Sequence, residues 1–143
     1  MNILILTHSY PDSNNPWRGV FVQEQAKALS LKHDVTVVFF KTDYSRFAPF
    51  SGVKFTKKET GSLHEYEVVT ARSFPVINQV KYLRDTFLFV RRELTAVKKI
   101  DLIHSHLSYP AGFLGTIMQK LLKIPNITTE HSWIKKTFSQ RSS

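Results

Sequence analysis

The fold is decided by residues 101–113, which read DLIHSHLSYPAGF. This stretch predicts a short buried strand that ends in a histidine, then a turn and then a helix. In an open parallel sheet, ligands bind just beyond the carboxyl ends of the strands. The pattern therefore places His106 where chemistry is usually done. His104 lies on the same face but deeper in the sheet, because side chains two positions apart on a strand point the same way.

Further segments of strand length lie on both sides of this stretch. Most are apolar, β-branched or aromatic, which is typical of parallel strands that are covered on both faces. The predicted strands are Ile3–Leu6, Val35–Phe40, Glu65–Thr70, Leu102–Ser105 and Asn126–Thr129. Residues 41–62 contain Pro49, Gly52, Gly61 and several lysines, and they predict a loop with at most one edge strand, at Val53–Thr56.

Helical periodicity separates these strands. Apolar residues three and four positions apart form one buried face of a helix. Such stripes predict helices from near Gly19, from Val80 onward and over Ala111–Leu122. Their members are Val22, Ala26 and Leu29; Leu83, Phe87, Val90, Leu94 and Val97; and Leu114, Ile117, Met118 and Leu121. Because strands and helices alternate, we expect an α/β fold with a mostly parallel sheet, built as a single domain over residues 1–143.

Composition narrows the classes of function. The chain has a formal net charge of +9 and no cysteine, so disulfides and thiolate metal sites are excluded. The charge favours phosphorylated ligands, nucleic acid or the inner face of a membrane, or it only keeps the protein in solution. The basic residues are dispersed, which argues against readout of DNA. No apolar stretch approaches the ~18 residues of a membrane span and no signal peptide is apparent, so we expect a cytoplasmic protein.

The first candidate site is the loop that precedes the first helix. Gly19 lies at the predicted start of that helix, where unpaired N–H groups and a partial positive charge accept phosphate. Glycine lets the backbone approach an anion closely, and Arg18 adds a full positive charge beside it. The alternative is that Gly19 only permits a tight turn.

The second candidate is the pair His104 and His106. Two imidazoles on one strand face can bind zinc, but zinc needs more ligands and no acidic residue follows closely. We therefore expect no metal here. The remaining alternatives are structural histidines that bond to backbone, which suits His104, and a ligand contact, which suits His106 at the strand terminus. A histidine there can donate a hydrogen bond to a bound polar group or to developing charge.

The third candidate follows the last predicted strand, where Glu130, His131 and Ser132 come directly after Thr129. If that strand lies beside the one that ends at His106, both polar clusters open onto one cleft. Ser132 serves equally well as the N-cap of a helix that begins at Trp133. Glu130 and His131 are harder to explain as caps.

Together these motifs resemble the amino-terminal half of the family 4 glycosyltransferases. The resemblance spans nearly the whole chain in the correct order, although residues 41–98 carry little of it. The segments that carry it are Pro11, Arg18–Phe21, Gln25-Ala26, Leu29, His33–Val37, Asp101–His106, Pro110–Gly112, Ile124-Pro125 and Thr129–Ser132.

The resemblance implies a GT-B architecture, in which two Rossmann-like domains, each with a doubly wound and mostly parallel sheet, face each other across a cleft. It implies that this domain binds the acceptor, and that a nucleotide-sugar donor transfers its sugar with retention of configuration and without a metal or other cofactor. By the same resemblance, His106 contacts the transferred sugar, Gly19 and Arg18 bind the donor, and Tyr109, Glu130 and His131 lie near the acceptor or the cleft.

Two departures from the family pattern bear on function. The first loop has one glycine where many relatives have two, and the donor-binding carboxyl-terminal domain is absent from these residues. We therefore expect this chain to be inactive alone. The expected partners are a nucleotide sugar, a glycan or lipid-linked acceptor and the anionic membrane surface, with no nucleic acid. The alternative is a standalone sugar- or anion-binding module without catalysis.

Overall fold

One mixed sheet of six strands organises residues 1–131, the part of the chain that the structure, a computed structural model, describes. The strands are β1 (Asn2–Thr7), β2 (Asp34–Phe47), β3 (Lys54–Thr60), β4 (Leu63–Arg72), β5 (Leu102–His106) and β6 (Asn126–Thr129). The helices are α1 (Val20–Ser30), α2 (Pro75–Phe89), the single turn α3 (Thr95–Val97) and α4 (Phe113–Leu122). A π-helical turn, Val90–Leu94, joins α2 to α3.

The strand order is β3-β4-β2-β1-β5-β6, and every pairing is parallel except that of β3 with β4. From β1 the chain adds β2 and β4 on one side and then returns to add β5 and β6 on the other. The direction of winding therefore reverses between β1 and β5, and such a reversal opens a crevice at the carboxyl edge of the sheet. The predicted doubly wound, mostly parallel α/β fold is confirmed.

Two apolar cores cover the two faces of the sheet. On β1, Leu4 and Leu6 point toward the face that α2 and α4 cover, and Ile3 and Ile5 point toward α1. Each of these four side chains is at most 5% exposed. A strand buried on both faces must be apolar at every position, which is why the strands predicted from apolar runs are found.

The prediction for residues 41–62 is wrong in part. Strand β2 continues to Phe47, and β3 covers Lys54–Thr60, three residues longer than the predicted edge strand and shifted by one. All seven residues of β3 are exposed. Backbone pairing with β4, which hydropathy does not register, holds this polar ribbon together.

The helix ends also differ from the prediction. Helix α2 begins at Pro75, five residues before Val80, because proline is well suited to the first turn of a helix. Helix α4 begins at Phe113, two residues after Ala111. Val97 and Leu121, assigned to the apolar stripes, are 83% and 65% exposed. Both lie in the last turn of their helices, beyond the edge of the core.

Residues 1–131 include no helix of the length and apolar character needed to cross a membrane. The predicted cap Ser132 and the predicted helix from Trp133 lie outside the described residues.

Candidate functional site

The carboxyl ends of β1, β5 and β6 lie side by side. They bring the loop before α1 and the residues after β6 next to His104 and His106. Leu6 of β1 pairs with Ser105 of β5, and His106 pairs with Thr129 of β6. The residues that follow β1 and β6 therefore flank His106 at the crevice between β1 and β5. This is the location that the sequence predicts for a ligand.

Three histidines form a connected group at this edge. Nδ1 of His106 is 2.9 Å from Nε2 of His131, and the two rings are nearly coplanar, with an angle of 3° between them. Nε2 of His104 is 2.8 Å from Oγ1 of Thr129, and the His104 and His106 ring centroids are 4.3 Å apart. His104 is thus a structural histidine as expected, but its partner is the side chain of Thr129 and not the backbone.

His106 is completely buried, and its Nε2 atom has no hydrogen-bond partner within residues 1–131. The contact with His131 fixes what this atom can do. If His106 donates from Nδ1, its Nε2 is a free acceptor; if it accepts there, its Nε2–H is a free donor. In both cases a buried polar atom is available to a ligand. Eight other buried side-chain atoms of residues 1–131 also have no hydrogen-bond partner, but His106 is the one at the carboxyl end of β5.

Burial also sets the charge of these rings. Desolvation, followed by repulsion from His104 and His131, lowers the pKa of His106 from 6.5 to about 4. Desolvation and then His131 lower the pKa of His104. Both imidazoles are therefore neutral near pH 7, so His106 can offer a directed hydrogen bond but not a positive charge.

His8, which sequence analysis did not single out, connects the first loop to this group. The Arg18 guanidinium donates to the His8 carbonyl at 2.8 Å. Burial and then Arg18 lower the pKa of His8, while Glu130 acts in the opposite direction. His8 thus lies between the positive charge before α1 and the negative charge after β6. In the sequence, His8 is marked only by its position directly after Thr7, the polar residue that ends the apolar run Ile3–Leu6.

The first turn of α1 also contacts the histidine group. The rings of Phe21 and His131 have centroids 4.4 Å apart. Helix α1 has no side-chain cap and no acidic residue in its first turn, so its positive end is not neutralised by its own side chains. Arg18 therefore adds to a positive region beside the crevice.

Gly19 is needed for the turn itself. It has a φ of +62°, and a Cβ placed on it would lie 2.1 Å from the Ser9 carbonyl oxygen. The chain after β1 therefore packs directly on the helix start, which no L-residue permits. Gly19 has this role whether or not an anion binds there.

Tyr109 is the predicted site residue least engaged with the group. It is 55% exposed, it lies in the irregular segment after β5, and its ring centroid is 6.2 Å from that of Phe113. Glu130 is exposed at the end of β6, and His131 is partly exposed. The structure thus brings His106, His131, Arg18 and Glu130 to one edge, with Tyr109 outside the hydrogen-bonded group.

A second buried polar pair lies farther along the same face. The Tyr10 hydroxyl donates to Oε1 of Glu65 at 2.5 Å, and its ring stacks on Phe39 at 4.7 Å. Burial raises the pKa of Tyr10, and the bond to Glu65 raises it further. A cavity of about 140 Å³ lies beside this pair and is also bordered by Lys57 and Glu67. No sequence motif marks the pair, because Tyr10 and Glu65 are 55 positions apart.

The residues of 1–131 include no group of three or more histidines and carboxylates placed to hold a metal ion. Within the histidine group, Thr129 already contacts Nε2 of His104, and His131 contacts Nδ1 of His106. One ring nitrogen of each histidine is thus engaged with a neighbouring side chain, while Nε2 of His106 is left without a partner within residues 1–131.

A polar edge at the winding reversal of a parallel sheet is the place where Rossmann-like domains bind their ligands. The family profile of Glycosyltransferase Family 4 matches residues 19–143, and this chain belongs to that family.

Two curated relatives agree with this assignment. Over 144 aligned residues the chain is 29% identical to TuaC of Bacillus subtilis (strain 168), a glycosyltransferase assigned to teichuronic acid biosynthesis; the match covers 92% of this chain and 36% of TuaC. It is 31% identical over 71 residues to the uncharacterized glycosyltransferase MJ1178 of Methanocaldococcus jannaschii, covering 48% of this chain and 20% of that protein. The chain thus spans about a third or less of these relatives.

Solved structures of GT-B glycosyltransferases share the fold. The catalytic domain of starch synthase IV from Arabidopsis thaliana, bound to ADP and acarbose, aligns with a TM-score of 0.59 and 15% identity over 92% of this chain and 34% of that one. An E. coli trehalose-6-phosphate protein bound with UDP-2-fluoro glucose aligns with a TM-score of 0.51 and 14% identity over 90% of this chain and 32% of that one.

Proposed function

We propose that this family 4 domain is the acceptor side of a retaining, metal-independent glycosyltransferase. The enzyme would transfer a sugar from a nucleotide-sugar donor to a glycan or lipid-linked acceptor. The observation that carries the proposal is the buried, unpartnered Nε2 of His106 at the crevice between β1 and β5. The printed names of the relatives support it: TuaC is assigned to teichuronic acid biosynthesis, and two structural neighbours hold UDP-2-fluoro glucose or ADP with acarbose.

In this proposal His106 acts as a neutral hydrogen-bonding group. Its pKa of about 4 keeps the ring uncharged, so it can bond to a hydroxyl of the transferred sugar without attracting the donor phosphates. Because His106 is completely buried, the side chains that cover it must move when the sugar enters. Gly19 and Arg18 bind the donor at the positive start of α1. Tyr109, Glu130 and His131 contact the acceptor or line the cleft.

The reaction needs a second domain that contributes most of the donor contacts. We therefore expect the present chain to bind an acceptor weakly and to show no useful turnover, since proximity of the two substrates supplies much of the rate. The nucleotide sugar is a co-substrate, and no resident cofactor takes part. The reaction would take place in the cytoplasm, at or near the inner face of the membrane.

The test is a transfer assay with UDP- and ADP-sugars and glycan or lipid-phosphate acceptors. It compares this chain with the chain joined to a donor-binding domain of the same family. We expect transfer only with the joined protein, a product of retained anomeric configuration by NMR, and no effect of EDTA. Inversion, or loss of activity in EDTA, would contradict the respective part of the proposal.

The alternative function is a sugar- or anion-binding module without catalysis. The polar groups at the crevice, Arg18 and the free Nε2 of His106, would bind such a ligand with or without a reaction. Saturable acceptor binding combined with no transfer by the joined protein would favour this alternative.

A further inference from the structure

A cluster of large apolar side chains stands exposed at the other end of the carboxyl edge. The exposed fractions are 52% for Phe47, 93% for Phe50, 61% for Phe74, 74% for Val76 and 55% for Val80. We call these five residues the apolar ledge. A continuous exposed apolar surface of this kind marks an interaction site, whereas scattered single residues do not.

The fold holds the apolar ledge together. Phe47 ends β2 and Phe74 follows β4, and their rings meet edge to face with centroids 5.8 Å apart. The Ala48 N–H donates to the Arg72 carbonyl at 3.0 Å, and the Lys81 ammonium donates to the Ala48 carbonyl at 3.4 Å. The loop that carries Phe50 is therefore fixed against β4 and α2.

The loop and the helix also enclose a groove. A cavity of about 320 Å³ lies between the loop of Pro49 and Phe50 and the helical residues Val76, Ile77 and Val80. The apolar ledge is thus one surface with a recess, built from the first turns of α2 and the segment after β2.

Basic side chains outnumber acidic ones around this surface. Residues 43–54 and 72–85 include Arg46, Lys54, Arg72, Arg84 and the buried Lys81, against Asp43 and Asp85. The Arg72 guanidinium lies 5.7 Å from the Phe47 ring centroid. Arg46, Lys54 and Arg72 have no carboxylate partner within residues 1–131, while Arg84 pairs with Asp85 at 2.8 Å.

We propose that the apolar ledge docks on the surface of an anionic lipid bilayer. Phenylalanine and valine side chains would enter the interface, and the surrounding Arg and Lys side chains would contact lipid phosphates. A second copy of this chain fits the surface poorly, because a symmetric contact would bring two sets of unpaired cations together. The proposal concerns binding only and does not depend on sugar transfer.

Docking at this place would also orient the candidate site. Strands β2 and β4 run parallel to β1 and β5, so the apolar ledge and His106 lie at the same edge of the sheet. The crevice would then face the membrane interface, where the headgroup of a lipid-linked acceptor is located.

The test is co-sedimentation of the chain with phosphatidylcholine vesicles, with and without a third of phosphatidylglycerol. We expect saturable binding to the anionic vesicles and at least tenfold weaker binding to the neutral ones. The double variant Phe50→Ser/Val76→Ser and, separately, Arg46→Gln/Arg72→Gln should each weaken binding to anionic vesicles at least tenfold. All four side chains are exposed, so thermal unfolding should stay close to that of the unaltered chain.

Matched controls test whether position matters. Leu31→Ser/Val97→Ser removes apolar side chains that are 85% and 83% exposed elsewhere, and Lys32→Gln/Lys99→Gln removes the same charge elsewhere. Both should change binding less than threefold. No binding to anionic vesicles at low salt, or equal losses in the controls, would overturn the proposal. So would ledge variants that abolish self-association in analytical ultracentrifugation but leave vesicle binding intact.

Discussion

The two halves of the sheet end differently at the same edge. On one side β1, β5 and β6 have six, five and four residues; β1 and β5 stop at buried polar side chains and β6 stops at a partly buried threonine. On the other side β2 and β4 have fourteen and ten residues, and they extend into exposed aromatic and basic residues. The short strands leave a recess and the long strands form a projection beside it. One edge thus offers a polar crevice and an apolar surface.

The largest expected effect tests the crevice. In a transfer assay with the joined protein, His106→Ala should lower kcat by about 10²–10³-fold, because one hydrogen bond to a site of developing charge is worth that much. The control His64→Ala changes a histidine near the amino end of β4, where it contacts Glu59. It should leave kcat within about twofold. Equal rates for His106→Ala and the unaltered protein would remove His106 from the proposed site.

The next largest effect is the difference in stability between variants at two glycines that have nearly the same φ angle. Gly19 and Gly61 have φ values of +62° and +59°, but a Cβ would strike the Ser9 backbone at Gly19 and would touch nothing within 4 Å at Gly61. Gly61→Ala should cost about 1–2 kcal/mol of unfolding free energy, the penalty for the left-handed conformation. Gly19→Ala should cost about 3 kcal/mol or more, since the loop must also move. Urea unfolding of both variants measures the difference, and equal losses would show that the β1–α1 loop adapts freely.

Buried polar pairs give the third comparison. His104→Ala removes the partner of Thr129 on the crevice side, and Tyr10→Phe removes the partner of Glu65 on the other. Each should cost about 1–3 kcal/mol, because a polar group is left without its hydrogen bond. Chemical denaturation measures both. His104→Ala should leave the KM for donor unchanged; a raised KM would mean that His104 contacts the ligand.

The pH dependence of stability tests the buried histidines. The pKa of His106 is about 4 in the folded chain and 6.5 when exposed, so the unfolded chain binds more protons between these values. The contribution is fully present above about pH 6.5 and is lost as the pH falls toward 4. His104 and His8 act in the same direction because their pKa values are also lowered.

We expect His106 alone to account for about 1–2 kcal/mol of this loss. Urea unfolding at pH 7, 5.5 and 4.5 measures the slope, and His106→Asn should make it shallower. An unchanged slope in that variant would show that other groups cause the acid sensitivity.

The sequence predicts the crevice half of the fold better than the projecting half, for a physical reason. Burial on two faces forces apolar runs, so Ile3–Leu6 and Leu102–Ser105 are found within one or two residues of their strands. The end of β2 pairs with β4 at Lys41–Asp43 and again at Phe47, and hydropathy does not record this backbone pairing.

The candidate site was also predictable only in part from the sequence. The strand order places the tips of β1, β5 and β6 together. The sequence predicts this only on the condition that the last strand lies beside the one that ends at His106. The bond from His106 to His131 and the position of His8 depend on ring orientation and on loop geometry. No spacing rule contains that information, because the bonded histidines are 25 positions apart.

The smallest expected effect concerns residues that helical periodicity assigns to the core. Val97→Ser and Leu121→Ser should each change the unfolding free energy by less than about 0.5 kcal/mol, because both side chains are largely exposed. Leu94→Ala and Met118→Ala, one turn earlier on the same helical faces, should each cost about 2–5 kcal/mol, because both side chains are buried. Urea unfolding of the four variants measures the difference in unfolding free energy between the exposed last turn and the buried turn before it. A loss above 1 kcal/mol at Val97 or Leu121 would mean that the last turns are packed, since an apolar residue stabilises the fold only where other atoms cover it.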